Sequence, residues 1–409
     1  MDETTRPSEA LNTFLHALPG VNTWAMRKGY LEAGIRDNDV VVWSGMLDSR
    51  TILLGGSSDS LLLLDVRGPD RRSTDGRESA AHTHIHERHV GTVGDRLRHG
   101  RPGPRCRRFV EGTGLPMNTV NPNDSSFYQF ASDLVSDQPA EALDAEIAGE
   151  LAAIGIVKGK AFEPDARMRG CADARMRGCA DARMREILTE AAAVGNAIAR
   201  TLTFRPRTED GVHYYGEASQ WVNGLLAGGY DLMTPPAEVS DTGIGPYPSD
   251  GARKLHLRTQ FFYLAWGISP AMCMRITNLG SQYLVTAADK EGRTLDGGRH
   301  YTVSLPPGIP AARFWSLTAW DNQTRSMLDT PQRFSKVGSQ GYPRRAATAD
   351  PDGSTTVHFA PELPDGVPDG NSIQTTPGRG WCVCLRLYSP LQPFFDKSWR
   401  PGEIEEGEI

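Results

Sequence analysis

The side chains best suited to chemistry lie within one short stretch, residues 314–328. Asp321 supplies a carboxylate and Arg325 a guanidinium, both close to the end of a predicted strand. A carboxylate held beside an aromatic ring such as Trp315 or Trp320 can act as a general acid or base. Asp321 and Arg325 are therefore the candidate catalytic residues.

Three further side chains are candidates for ligand binding. Arg386, like Arg325, could clamp an anion, because a guanidinium offers a planar fork of donors. Trp320 and Tyr388 could stack on a sugar ring or an apolar ligand. The structural alternatives stay open: an Asp at a strand end is commonly a turn former, and Arg386 on an outer strand face is commonly a surface residue or an ion-pair partner.

Strands must position these residues. In 314–320, apolar Trp315, Leu317 and Ala319 alternate with the remaining side chains, which predicts a strand with one face inward. The same alternation in 381–388 sends Cys382, Cys384, Arg386 and Tyr388 to the other face. The remaining predicted strands of the C-terminal part cover 282–288, 299–305 and 354–359, and two further short strands, 40–43 and 51–54, are predicted in the N-terminal part. Short strands separated by turn signals predict a jelly-roll-like β-sandwich at the C-terminus.

The composition agrees with a turn-rich chain of more than one domain. The 409 residues include 43 glycines and 28 prolines, which do not suit an all-helical protein. Helices are predicted over 10–34, 126–136, 142–156 and onward from 185. We therefore expect a mainly β protein with a helical connector (α+β): an N-terminal domain over 1–131, the connector over 132–235 and the sandwich over 236–403.

Charge and cysteine usage restrict partners and compartment. The net charge of −6 and pI of about 6.0 give no support to nucleic-acid binding. Neither an apolar run long enough for a membrane span nor a signal peptide is recognised, and the six cysteines form no C-x-x-C. We expect a cytoplasmic protein with reduced thiols that binds an unknown small molecule; a homo-oligomer is also considered.

Residues 66–108 break the pattern. They hold eleven Arg, no Lys and five of the ten His, and neither helical nor strand periodicity survives. Alternate His in the run 82–89 could ligate zinc, or the stretch could be a solvated basic loop. The preferred hypothesis is a frameshift across 61–108, because shifting each codon by one base restores aromatic residues and strand alternation.

A second irregularity is an eight-residue repeat. Ala166-Arg-Met-Arg-Gly-Cys-Ala-Asp173 recurs at 174–181, and a third copy begins at Ala182. Eight residues are too short for a solenoid unit, and the repeat advances about 80° beyond whole helical turns, so no constant face results. A tandem DNA duplication is the favoured interpretation, and a basic binding helix is the alternative.

Three stretches carry a family resemblance. They are Phe109-Val-Glu-Gly-Thr-Gly114, Ala153-Ile-Gly-Ile-Val-Lys-Gly-Lys160, and the segment from Ile276 through Phe314-Trp315 to Pro401. Together they resemble the bacterial and fungal proteins that pair domain of unknown function 1254 with domain of unknown function 1214. The resemblance implies a β-rich N-terminal domain, a helical connector and a C-terminal jelly-roll-like sandwich. It implies no activity.

The chain departs from that family in its N-terminal part. The family has Asp-Met-Trp and Gly-Pro-Asp segments where this chain has His89 and its neighbours, and the shifted frame recovers both. About ninety further family residues before Phe109 have no counterpart. The N-terminal domain is therefore expected to be scrambled and truncated, with too little sequence for a full core.

Three hypotheses about function remain. The first is a hydrolase-like enzyme that acts on a small or saccharide-like ligand in a cleft between two β domains. The second is a non-catalytic ligand-binding or structural β-sandwich protein. The third is a damaged copy without function. No P-loop, G-x-S-x-G, H-E-x-x-H or G-x-G-x-x-G motif supports a particular chemistry, and no metal or cofactor is expected.

The frameshift hypothesis predicts that the nucleotide sequence across codons 55–110 contains a displaced reading frame. Because one frame recovers the whole stretch, we expect a single-base change near each of its ends. DNA sequencing, together with mass spectrometry of peptides from residues 61–108, provides the measurement. An uninterrupted frame, with peptides that match the printed sequence, would rule the hypothesis out.

Overall fold

The computed structural model describes most of the C-terminal half and parts of the N-terminal half. The described residues are 5–36, 39–42, 46–50, 52–54, 63–65, 84–85, 108–109, 117–139, 145–164, 174–207, 211–228, 232, 239–240, 243–244, 254–265, 270–273 and 275–407. The chain divides into an N-terminal unit (1–41, 64–85 and 102–201) and a C-terminal unit (42–63, 86–101 and 202–409). All five candidate site residues lie in the C-terminal unit.

The described part of the N-terminal unit is mainly helical. Its helices are α1 (Thr5–Glu32), α2 (Ser126–Asp137), α3 (Ala145–Ala153) and most of α4 (Ala174–Phe204). Phe14 of α1 packs on Phe127 of α2 with ring centroids 4.1 Å apart, and Tyr128 donates a hydrogen bond to the Ala10 carbonyl. Aromatic contacts between helices thus form this core, whereas most of the residues between 55 and 116, which bear on the expected β-rich domain, lie outside the described residues.

Four short strands also belong to the first half of the chain. They are β1 (Asp39–Val42), β2 (Leu63–Asp65), β3 (His84–Ile85) and β4 (Arg108–Phe109), in the order β3-β2-β1-β4. Leu53 and Leu54 are buried but do not form the expected strand. Most of residues 61–108, the stretch of the frameshift hypothesis, lie outside the described residues. The same holds for the histidine run 82–89 apart from residues 84 and 85, and for the first repeat copy, 166–173. The later repeat copies are part of α4.

The C-terminal unit contains two four-stranded sheets and a small hairpin, β5 (Val239–Ser240) with β6 (Gly243–Ile244). The first sheet, in the order β10-β9-β13-β7, consists of β7 (Ser281–Thr286), β9 (Ala311–Asp321), β10 (Lys336–Gly338) and β13 (Trp381–Pro390). The second, in the order β12-β11-β8-β14, consists of β8 (Tyr301–Leu305), β11 (Thr355–Ala360), β12 (Ser372–Gln374) and β14 (Glu405–Glu406).

The two sheets share one apolar core. In the first sheet β9 and β13 pair antiparallel, with Asp321 opposite Trp381 and Phe314 opposite Tyr388. Alternation sends one side of each strand into the core, as the sequence predicts. The buried core residues of the first sheet are Trp315, Leu317, Ala319, Trp381, Val383, Leu385, Leu387, Leu284 and Val337, and those of the second include Val303, Val357, Phe359 and Ile373.

Helices and connecting segments complete the unit. The helices are α5 (Gly224–Gly228), α6 (Leu255–Leu264), α7 (Pro270–Cys273) and α8 (Gln392–Phe395). Trp221 enters the sandwich core and donates its indole N–H to the Gly402 carbonyl at 2.9 Å. The C-terminal segment is attached to the second sheet, because Ile404 is fully buried and β14 pairs with β8.

The mixed α+β fold class is confirmed, although helices contain more residues than strands. The strands predicted from alternation are present with shifted ends. Strands β10, β12 and β14 were not predicted, because two or three residues are too few to show a periodicity.

A histidine pair joins two strands of the second sheet. Nε2 of His300 lies 3.1 Å from Nδ1 of His358, and the ring planes are 9° apart. This N–H···N hydrogen bond needs one donor and one acceptor, which two neutral rings provide. Burial lowers the pKa of His358, and His300 lowers it further, whereas the charge of Asp350 acts in the opposite direction.

This histidine pair predicts a loss of stability in acid. Because the pKa of His358 is lower in the folded than in the unfolded chain, the unfolded chain binds more protons below the ordinary histidine pKa of about 6.5. The free energy of unfolding should therefore decrease as the pH falls from about 6.5 through the folded pKa of His358. Urea unfolding at a series of pH values measures this slope.

The variant His358→Gln should have a smaller slope, and His256→Gln, a change on helix α6, should retain the slope of the unmodified protein. If His358→Gln and the unmodified protein lose stability in parallel over this pH range, the pair does not control it.

Candidate functional site

Asp321 occupies the turn that follows β9. Its Oδ1 accepts the backbone N–H groups of Gln323 and Thr324 at 2.7 and 2.9 Å. Its Oδ2 lies 3.4 Å from Nη1 of Arg379. The carboxylate thus forms an Asx turn, the structural alternative that the sequence left open for this residue.

Arg325 lies in the same turn, with a φ of 62°, and its side chain is fully buried. Its backbone N–H donates to the Asp321 carbonyl, whereas its Nη1 donates to the Tyr263 carbonyl at 3.1 Å. The guanidinium carbon also lies 4.5 Å from the centre of the Tyr263 ring. Burial lowers the pKa of Arg325. This side chain therefore connects the end of β9 to α6.

The second face of the first sheet is buried as well. We call it the polar face; it comprises Phe314, Ser316, Thr318 and Trp320 of β9, Cys382, Cys384, Arg386 and Tyr388 of β13, Tyr283 of β7 and Lys336 of β10. All of them except the half-buried Tyr283 are less than 9% exposed. For Arg386 the sequence analysis left a surface position open as one alternative, but this residue is only 6% exposed.

Arg386 and Trp320 meet on this face. The guanidinium carbon of Arg386 lies 5.3 Å from the Trp320 ring centre and 5.8 Å from that of Tyr283. Trp320 is opposite Cys382, four residues along β13 from Arg386, or about 13 Å at the usual strand rise. The side chains of Arg386 and Trp320 must therefore extend toward each other across the row that contains Cys384 and Thr318.

Tyr388 lies at the other end of the polar face. Its ring stacks on that of Phe314, with centroids 4.0 Å apart and planes 25° apart. The stack occupies one side of the Tyr388 ring. Of the three candidate ligand-binding residues, the structure thus brings Trp320 and Arg386 together and places Tyr388 in a separate aromatic pair.

Asp321 is not on this face. Alternation along β9 points residues 320 and 321 in opposite directions, and Asp321 shares its cross-strand position with the core residue Trp381. The candidate acid or base is therefore separated from the candidate ligand-binding pair by the sheet itself.

Helix α6 covers the polar face. Tyr263 near its end holds Arg325, and Leu257 near its start packs in one apolar cluster with Val285, which lies opposite Cys384 on the polar face. Gln260, between them, approaches Gly224 of α5: an added Cβ on that glycine would lie 2.8 Å from the amide oxygen. Helix α6 and the polar face thus form a layer that is joined through Arg325 and through the cluster of Leu257 and Val285.

This layer contains polar atoms whose hydrogen-bonding capacity is not used. Within the described part of the chain, the hydroxyls of Thr318 and Thr259 and Oε1 of Gln260 are buried and have no hydrogen-bond partner. Thr318 and Thr259 are at most 1% exposed and Gln260 is 6% exposed. Buried polar groups in folded proteins are nearly always satisfied, so these three require an explanation.

Of the site residues that sequence analysis missed, those on β9 have a signal in the sequence and those on α6 do not. Ser316 and Thr318 follow from the same alternation that places Trp320, whereas Thr259 and Gln260 come from a distant helix. The buried thiol of Cys382 on the polar face is not activated. Burial, and then the neighbouring Cys384, raises the pKa of Cys382 well above its usual range, which disfavours a reactive thiolate.

Two further properties concern the described residues, namely groups of metal-binding side chains and membrane-spanning helices. They contain no group of three or more His, Cys, Asp or Glu side chains that could hold a metal ion. None of the helices among them is both long and apolar enough to cross a membrane.

Comparisons with known proteins support the C-terminal resemblance. Residues 280–392 match the family described as protein of unknown function (DUF1214). This confirms the C-terminal member of the expected pair, and the N-terminal member, domain of unknown function 1254, stays a prediction. No curated protein matches the chain.

Two solved structures resemble the chain weakly. The VPA0106 protein from Vibrio parahaemolyticus aligns over 98% of this chain and 100% of its own, with 12% identity and a TM-score of 0.41. A putative uncharacterized protein from Burkholderia cenocepacia aligns over 59% of this chain and 47% of its own, with 15% identity and a TM-score of 0.27.

The turn geometry predicts different effects of two substitutions at Asp321. Asp321→Ala removes the acceptor of two backbone N–H groups and should lower the free energy of unfolding by about 1 kcal/mol, as loss of a comparable cap does. Asp321→Asn keeps an oxygen at the Oδ1 position and should change stability by less than about 0.5 kcal/mol. Urea denaturation of both variants provides the comparison. Equal losses in the two variants would contradict the turn-forming function.

Proposed function

We propose that the C-terminal unit is a non-catalytic binding module that holds a small anionic ligand between helix α6 and the polar face. The observation that carries this proposal is the buried Arg386, whose guanidinium lies near the rings of Trp320 and Tyr283 on the face that also contains Thr318. Arginine is well suited to such a position, because its planar fork matches a carboxylate or phosphate while its faces pack on aromatic rings.

The unpartnered polar atoms add a second requirement for the ligand. The Thr318 and Thr259 hydroxyls can each donate or accept, whereas Oε1 of Gln260 can only accept. A ligand with an anionic oxygen and at least one hydroxyl or amino donor would satisfy the two hydroxyls and the amide oxygen. Leaving such groups unsatisfied costs about 1–3 kcal/mol each, which a polar ligand would recover.

The arrangement favours binding over hydrolysis. Asp321, the carboxylate that hydrolysis would need, accepts two turn N–H groups and lies on the opposite side of β9 from Trp320. Arg325 donates to the Tyr263 carbonyl and is a framework residue rather than an anion clamp. Hydrolysis of a saccharide-like ligand through Asp321 and Arg325 is the competing hypothesis, and the experiment below includes it.

Two broader features belong to the same proposal. The two sheets that share the core would form a jelly-roll-like sandwich, with the ligand held on its outer side. The module would work in the cytoplasm, where the thiols of Cys273, Cys382 and Cys384 remain reduced.

The binding proposal predicts that Arg386→Gln abolishes anion binding. The probes are acetate, sulfate, inorganic phosphate and the neutral sugar glucose. Their binding is measured at constant ionic strength by the shift in the melting temperature of the protein and by ligand-observed NMR. The unmodified protein should bind at least one of the anions, and Arg386→Gln should weaken that binding at least tenfold, about 1.4 kcal/mol. Glucose, the neutral probe, should not bind.

Arg313→Gln is the matched control, because Arg313 lies on the same strand β9 but is exposed. It should bind like the unmodified protein. If Arg386→Gln does not fold, Thr318→Val, which has nearly the same shape, should still weaken binding severalfold. Anion binding that is absent from the unmodified protein, or unchanged in both variants, would refute the proposal. Turnover of chromogenic esters or glycosides that Asp321→Asn abolishes would establish the hydrolase instead.

A further inference from the structure

Two exposed leucines lie close together at one end of the first sheet. Leu279 is 53% exposed in the turn before β7, and Leu391 is 37% exposed directly after β13. The N–H of Asn278 donates to the Pro390 carbonyl at 2.7 Å, so the neighbours of the two leucines are joined through the backbone. The start of β7 and the end of β13 therefore present both side chains at the same end of the sheet.

The turn that contains Leu279 has an unusual backbone. Asn278 and Gly280, on either side of the leucine, have φ values of 60° and 66°. Ser389, whose N–H donates to the Gly280 carbonyl at 2.8 Å, has a φ of 54°. Left-handed conformations cost free energy for residues other than glycine and are concentrated at functional sites. The fold thus fixes this turn in a conformation that leaves Leu279 exposed.

Exposed cations surround this pair of leucines. Arg275 precedes the turn, Lys397 follows helix α8, and Arg313 lies near the start of β9. The start of β9 is at the same end of the sheet, because Ala311 is paired with Pro390. All three cations are exposed, and none of them forms an ion pair within the described part of the chain. Single exposed leucines are common on protein surfaces, so these charges are the more informative feature.

Little negative charge offsets these cations. Within residues 275–281, 309–313 and 389–399 the charged side chains are the three cations and Asp396. This end of the sheet thus combines two projecting apolar side chains with excess positive charge, although the whole chain has a net charge of −6. Surfaces of this kind bind anionic lipids, because apolar groups enter the boundary between headgroups and acyl chains while Lys and Arg attract lipid phosphates.

We propose that the leucine end of the sandwich, defined by Leu279, Leu391, Arg275, Arg313 and Lys397, attaches the protein to membrane surfaces that contain anionic lipids. The two leucines enter the interfacial region, and the three cations lie at the level of the lipid phosphates. A stable protein interface commonly buries about 800 Å² on each partner, whereas two projecting side chains suit a fluid surface that closes around them. The polar face contributes no residue to this surface, so the proposal is independent of anion binding beneath α6.

Co-sedimentation of the full chain with lipid vesicles tests the proposal. The vesicles consist of phosphatidylcholine alone or of phosphatidylcholine with about 30% phosphatidylserine. The unmodified protein should bind the anionic vesicles at least tenfold more tightly than the neutral vesicles, and salt at about 0.5 M should remove most of this preference by screening. Leu279→Gln should weaken binding to the anionic vesicles at least fivefold, because an apolar group no longer enters the interfacial region.

Leu363→Gln is the matched control. Leu363 is 43% exposed but lies between Glu362 and Asp365, in the segment that joins β11 and β12. This variant should bind the vesicles like the unmodified protein. Arg313→Gln should weaken binding to the anionic vesicles and leave anion binding by the polar face unchanged, which separates the two proposals.

Three results would overturn the membrane proposal. They are absence of binding to the anionic vesicles, binding that Leu279→Gln leaves unchanged, and binding that Leu279→Gln weakens no more than Leu363→Gln does. Self-association that Leu279→Gln abolishes, without vesicle binding, would also overturn it and identify a second copy of the chain as the partner. If Leu279→Gln does not fold, Leu391→Gln takes its place, and a folded Leu391→Gln with unchanged vesicle binding counts against the proposal.

Discussion

The antiparallel pairing of β9 with β13 is the constraint on which the C-terminal unit depends. Both strands are buried on both faces, one apolar and one polar. Because side chains alternate, a shift of one residue in the register of a strand would move its apolar side chains to the polar face and its polar side chains into the core. The register that buries Leu317 and Leu385 therefore also fixes Arg386 on the side of Trp320. The core specifies the site without contributing an atom to it.

The two faces have opposite effects on stability. Each fully buried Leu or Trp on the core face contributes about 1.5–3 kcal/mol through loss of exposed apolar area. On the polar face, Arg386 and Lys336 lose most of their hydration, and apolar residues of similar volume would often be equally or more stabilising there. The apolar core thus sustains a layer that contains buried charged groups.

The sequence predicts the part of this arrangement that depends on local periodicity. Alternation in 314–320 and 381–388 is enough to place Trp315 inward and Arg386 on the opposite face. It cannot show that the opposite face is also buried, because the cover, α6, lies more than fifty residues away in sequence from Thr318. The turn at Asp321 is foreseeable from residue type, whereas the attachment of Arg325 to Tyr263 is a tertiary contact without a local signal.

Covering the polar face has opposite consequences for affinity and for rate. Beneath α6 the local dielectric is low, so the attraction between a guanidinium and an anion is stronger than at an exposed surface. The same cover must move before a ligand can reach Thr318, and association that requires a conformational change is slower than collision. The polar contacts that hold this part of α6 include Arg325 to the Tyr263 carbonyl at 3.1 Å and Thr203 to the Gln260 carbonyl at 3.0 Å. Each such bond contributes about 1 kcal/mol, so every contact that opening disrupts adds to the cost of admitting a ligand.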